Sequence, residues 1–106
     1  MSDPNFTLLS LPDSVMAEIE QRIDVLRDSL QQRDPATLID PLRRLERIRG
    51  NFAFDFISSL AWAAEAVCTT AAFAERQLNR VELTSLQRAI DSMDRARRVA
   101  VVANAA

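Results

Sequence analysis

The side chains able to do chemistry are few. The 106-residue chain has no His and no Tyr, and Cys68 is its only cysteine. A Ser-His-Asp or Cys-His site requires a histidine, and a zinc site requires clustered Cys and His. Cys68 stands among Ala66, Val67 and Ala71 with no base beside it, so it reads as a small packed hydrophobe rather than a nucleophile. Asp24 and Asp28 are one turn apart and could share a cation. A calcium loop, however, crowds oxygen ligands around a glycine turn, and the single glycine, Gly50, lies far from this pair. One glycine also excludes a phosphate-cradling loop. Asp55 and Glu65, carried on the most apolar segment, are the carboxylates best placed for acid–base work. The expectation is no catalytic residue, no metal and no cofactor.

Charge points the same way. All thirteen basic residues are Arg, yet the net charge is −2 and the sequence pI is about 5.1, whereas a dedicated nucleic-acid binder is usually basic. Arg43, Arg44, Arg47 and Arg49 form one cluster and Arg95, Arg97 and Arg98 another. Together they could grip phosphates in a salt-dependent way. Glu46 interrupts the first cluster, Asp91 and Asp94 precede the second, and no aromatic interleaves with either. A solvated, ion-paired face is the preferred reading. The segment Glu46-Arg47-Ile48-Arg49-Gly50 is similar in spacing to the His-x-x-Lys-Gly motif of histidine phosphotransfer domains. Glu46 stands where that family carries its phosphorylated His, so phosphotransfer is excluded here.

What remains is apolar surface on helices. Hydrophobic residues make up 48% of the chain, enough for one soluble domain spanning 1–106 and too short a chain for a second core. The pattern predicts an all-α bundle of three main helices with a long middle helix. Residues 1–10 read as an arm. The first helix, 11–33, opens on a Ser10-x-x-Asp13 cap and carries Met16, Ile19, Ile23, Leu26 and Leu30 at heptad-like spacing. The middle helix runs over 41–79, with Asp40-Pro41 as its start and Gly50 as the one place for a break. A continuous helix is preferred, because Leu45, Ile48, Phe52 and Phe56 keep helical phase across Gly50. The third helix, 85–103, follows a Thr84-x-x-Gln87 capping box and lines Leu86, Ala89, Ile90, Met93, Ala96 and Ala100 along one face.

The middle helix is apolar nearly all round, and such a helix must be buried nearly all round. Phe52, Phe56, Leu60, Val67 and Leu78 fall on one stripe, expected to be the core or dimer seam. Trp62 and Phe73 share a second stripe, and Phe54 belongs to a third. Phe54, Trp62 and Phe73 are the candidate partner-binding side chains, since aromatics bury large area at low entropy cost. A continuous middle helix of about 58 Å would outrun its own neighbours and predicts a homodimer.

These readings lead to a small, non-enzymatic, cytoplasmic regulatory protein that acts by protein–protein contact, such as an anti-activator sequestering a transcription regulator. The arginine-only basicity and abundant alanine suggest a GC-rich bacterial genome. Asp55 and Glu65 interrupt the longest apolar stretch, which argues against a membrane span. The alternatives are a structural or chaperone-like homodimer and a nucleic-acid-associated protein using its Arg clusters.

Overall fold

The computed structural model describes residues 13–48 and 52–105, and every element in it is helical. There are four helices: α1 (Asp13–Leu30), α2 (Ala36–Glu46), α3 (Phe52–Phe73) and α4 (Arg80–Ala105). Each packs on its neighbours in chain order, and α4 returns to pack on α1, which closes a four-helix bundle. The arm, the Ser10 cap, Arg49, Gly50 and Asn51 lie outside the described residues.

The continuous middle helix is corrected. The segment 41–79 holds most of α2, all of α3 and the loop after it. α2 ends at Glu46, where the Arg47 and Ile48 N–H groups fall back onto the Arg44 and Leu45 carbonyls in a tightened last turn. The chain then reverses, so that Ser58 Oγ on α3 donates to the Glu46 carbonyl at 2.6 Å. In one unbroken helix those residues would be about 18 Å apart. Reversal wins because it brings the apolar side of α2 (Leu38, Leu42 and Leu45, all buried) against α1 and α3. The phase kept across Gly50 could not reveal that, since two helices packed side by side can share a phase as well as one can.

The helix starts also move. Asp34-Pro35, not Asp40-Pro41, opens α2. Asp34 Oδ1 accepts the Ala36 N–H at 3.1 Å, and the Asp34 carbonyl accepts the Thr37 hydroxyl at 2.8 Å. Residues 36–40 are therefore helix rather than a connector, and Pro41 is a buried residue inside α2. α4 begins at Arg80, not at 85. Asn79 Oδ1 accepts the Glu82 N–H at 2.8 Å, and Glu82 Oε1 accepts the Asn79 N–H at 2.9 Å, a reciprocal capping box. Thr84 and Gln87 lie within the helix. Arg76 clamps the same Glu82 carboxylate at 2.6 and 2.8 Å. That clamp, then the Asn79 N–H, brings the Glu82 carboxyl down to about 2.

Both helix ends facing the other loop use a left-handed residue that is not glycine: Arg33 after α1 and Glu75 after α3. Around Glu75 the N–H of Arg76 reaches the Ala71 carbonyl and that of Glu75 the Ala72 carbonyl, the two bonds of a Schellman cap. The two corners are tied by Leu78 N–H donating to the Arg33 carbonyl at 2.9 Å.

The core draws Ile19, Ile23, Leu26 and Leu30 from α1, and Leu86, Ile90 and Met93 from α4. Those heptad faces are the ones their spacing predicts. α3 contributes Phe54, Ile57, Ala61, Ala64, Cys68 and Ala71, a 3-4-3-4-3 spacing made mostly of small side chains. Large aliphatics on the other three helices and small residues on α3 fill the interior together.

Candidate functional site

The small inner face of α3 leaves its large side chains outside. Phe73 is 91% exposed, Trp62 69% and Phe56 47%. They share one side of the helix with Ser59, Ala63, Ala66, Thr69 and Thr70, all exposed. Asp55 is the one charged residue there, at the N-terminal end. The Thr70 hydroxyl is turned back to the Ala66 carbonyl at 2.9 Å, so it adds little polarity to the face. Leu60 and Val67 flank it. Both are partly buried against the core, and with Ala63 and Ala89 they line a shallow groove between α3 and α4. Scattered exposed apolar residues are ordinary, but a contiguous strip with three aromatics and a single charge at one end is a candidate contact surface.

The expected residue set is thus divided. Trp62 and Phe73 stand free on the surface as partner-binding candidates. Phe54 does not, because it is fully buried in the core. Of the expected seam, Phe56 lies on the outer face, while Leu60 and Val67 sit on its edge. Leu78 is buried in the loop after α3 rather than on the helix. The Phe52 side chain is outside the described residues. The stripe taken for the core is a flank, and the stripe holding Phe54, Ala61 and Cys68 is the core. Ser59 and Thr70 were not singled out. Their signal was available in the run 56, 59, 63, 66, 70, 73, a second heptad seam out of phase with the buried one.

The chemical candidates have structural occupations. Cys68 is fully buried, and burial, then the charges of Glu82 and Glu65, push its thiol up to about 12. No group of three Cys, Asp or Glu able to hold a metal gathers among the described residues, and Asp24 and Asp28 are both exposed. Two members of the first Arg cluster are paired: Arg43 Nε donates to Glu65 Oε1, and Arg44 Nε to Asp40 Oδ2 at 3.3 Å. In the second, Arg97 and Arg98 converge on Asp94 at 2.9 and 3.0 Å. Arg95 reaches the Ser92 hydroxyl at 3.0 Å.

Glu46 at the end of α2 meets Glu65 of α3. Burial, then the hydrogen bond to Glu65 and its charge, raise the Glu46 carboxyl to about 7. Hydrogen bonds from Glu46 and Arg43 hold Glu65 below its ordinary range. Of the two carboxyls, Glu46 is therefore the one that keeps its proton to higher pH. A raised acid pKa means that the native state binds more protons than the unfolded chain between about 4.5 and 7, so this pair loses stability as pH rises through that window. Glu46→Gln keeps the donor without the titration. It is expected to match wild type near pH 5 and to exceed it by about 1 kcal/mol above pH 8, after allowance for solvent screening. Urea unfolding at both pH values measures this, and an equal difference at the two would sink it.

Residues 54–73 are long and apolar enough to cross a membrane by length and composition, and a third of that stretch is buried inside the bundle. The arrangement is compatible with a soluble protein. Comparison of the chain with protein-family models, curated proteins and solved structures gives no match.

Proposed function

We propose that this is a small, non-enzymatic, cytoplasmic regulatory protein whose working surface is the outer face of α3. The observation that carries the reading is the exposure of Trp62 and Phe73 on a helical strip bearing no charge between Ser59 and Phe73 except Glu65, which is turned to Arg43. Such a strip fits the helix-in-groove and bundle-completion modes of recognition, where a few aromatic anchors supply most of the binding energy. The regulatory form of the proposal is sequestration. The face covers an apolar surface that a transcription regulator needs for its own dimerisation or DNA contact, and no cofactor is involved. Free protein covers the face with a second copy and exchanges that copy for its target. Arg43, Arg44, Arg97 and Arg98 are paired to carboxylates, which weighs against the Arg clusters as a grip on phosphates.

The test is a bait experiment with wild type and the Trp62→Ala/Phe73→Ala double variant, each checked for helicity by circular dichroism. The expected result is a regulator retained by wild type, released by the folded double variant, and blocked from its DNA by added wild type in a purified system. Loss of one hot-spot aromatic pair should weaken the complex at least about 30-fold. A purified target that binds DNA equally well with saturating wild type would overturn the sequestration reading.

A further inference from the structure

We propose that the outer face of α3 pairs with the same face of a second copy, antiparallel, in one defined register. This rests on the reading of that face as a contact surface covered by a second copy, and it adds the orientation and the register. The exposed seam reads Phe56, Ser59, Ala63, Ala66, Thr70, Phe73 at spacings of 3, 4, 3, 4 and 3. Those spacings are the ones that let two helices interlock over several turns. The order of side chains is also the same in both directions: Phe, small hydroxyl, Ala, Ala, small hydroxyl, Phe. Antiparallel pairing about the Ala63–Ala66 midpoint then sets Phe56 on Phe73 of the second copy, Ser59 on its Thr70, and Ala63 on its Ala66. Every layer occurs twice, as an isologous two-fold contact requires.

Size and polarity fit this occupant. Small central layers let the backbones approach closely, and an aromatic pair closes each end. The flanks match as well, because Leu60 and Val67 lie on the same edge of the seam, which a two-fold pair brings beside the same edge of the second copy, and both are apolar and only partly covered within one chain. Aromatic side chains of 150–250 Å² at the observed exposures leave roughly 400 Å² of aromatic surface. With the seam's small residues the face offers roughly 700 Å² per chain, close to the ~800 Å² per partner of a standard stable interface. The near absence of charge offers no electrostatic handle for a strongly charged partner. Opposed helix dipoles favour the antiparallel over the parallel arrangement.

The register is tested by disulfide trapping with Ser59→Cys and Thr70→Cys. The two positions are eleven residues, or about 16 Å, apart along the helix, far beyond the Cα separation a disulfide spans. Mixing the two variants under oxidation should give a mixed disulfide between positions 59 and 70, mapped by mass spectrometry, and neither variant alone should cross-link. The native Cys68 is buried and does not compete. Light scattering should give twice 11.9 kDa for wild type. For Phe73→Glu, which changes a 91% exposed side chain, it should give 11.9 kDa at unchanged helicity, with the dimer dissociation constant raised at least about 30-fold. Homodisulfides at position 59 mean a parallel pair and overturn the proposal. So does a dimer that Phe73→Glu leaves intact, and so does a wild type that stays monomeric at high concentration. In that last case, loss of target binding in the Trp62→Ala/Phe73→Ala variant would leave sequestration by this face standing, without its self-exchange, while this proposal falls.

Discussion

Phe54→Ala is expected to cost about 3–5 kcal/mol of folding stability, the range for emptying a fully buried aromatic site. Phe73→Ala, on the same helix, is expected to cost less than about 0.5 kcal/mol of the stability of the single chain. The two residues are chemically identical and both belong to the apolar α3 segment. Phe54 packs in the core at 1% exposure, whereas Phe73 stands 91% exposed. Removing Phe54 leaves a cavity between helices that can relax only partly, while removing Phe73 returns water to water. Urea titrations at two protein concentrations separate the cases. The Phe54→Ala loss is the same at both. Any Phe73→Ala loss shrinks on dilution, because it comes from mass action on an assembled form. Equal, concentration-independent losses would mean that Phe73 is a core residue and that the outer face is wrongly placed.

Asp94→Ala should be the most damaging change at a polar residue, at about 2–3 kcal/mol. Asp94 is 6% exposed and lies on α4 where α1 packs against it. Its carboxylate accepts from Arg97 Nε and Nη2 at 3.0 and 2.9 Å, from Arg98 Nη2 at 3.0 Å and from Arg27 Nη2 of α1 at 3.3 Å. Arg27 also reaches Asp91 Oδ1 at 3.1 Å, which in turn accepts from Gln87. Deleting the carboxylate leaves arginines without their common acceptor and unfastens α1 from α4. Solvent can reach Arg98 and part of Arg27, which keeps the expected cost below that of a wholly buried pair.

The same group sets an acid dependence. Burial by itself would raise the Asp94 carboxyl, but the Arg97 hydrogen bond and the charges of Arg97, Arg27 and Arg98 outweigh it and hold it below its ordinary 3.8. A lowered acid pKa contributes stability that is present above the unfolded value and lost as pH falls through the native one. The gap between wild type and Asp94→Asn should therefore be full at pH 6 and close progressively below about pH 4. A gap that is unchanged at pH 3 would assign the loss to packing rather than charge.

Much of the fold was legible in the residues. Ile19, Ile23, Leu26 and Leu30 on α1, and Leu86, Ile90 and Met93 on α4, are buried as their spacing indicates. Each of these helices has one apolar side and one charged side, so periodicity alone orients it. The Arg clusters were legible in part: Asp94, just before the second cluster, pairs with Arg97 and Arg98, whereas in the first Arg44 pairs with Asp40 and Arg43 with Glu65 of another helix rather than with Glu46. α3 was different. With apolar residues on three stripes, a helical wheel ranks its faces by side-chain size, and size pointed to Phe56, Leu60 and Val67. Packing decided otherwise, because Ala61, Ala64, Cys68 and Ala71 are what can approach the bulky faces of its neighbours. The helix starts were missed where two local signals competed. Asp34-Pro35 and Asp40-Pro41 are both sound caps in isolation, as are Asn79-x-x-Glu82 and Thr84-x-x-Gln87. The earlier member of each pair is used, which lengthens the helix that buries Leu38 in α2 and clamps Arg76 in the loop before α4.

The sequence by itself determined an all-helical chain with little chemistry to offer: no histidine, one cysteine, and arginine as the sole basic residue in an acidic protein. It also placed Trp62 and Phe73 off the stripe with most of the large apolar residues. Only the tertiary structure decided that the middle segment folds back on itself, that Phe54 is core and Phe56 surface, and that Glu46 meets Glu65. The reason is physical. Composition and periodicity act along the chain, within a turn or two. The choice among equally apolar faces depends on which one fits the surface of helices brought from elsewhere in the chain.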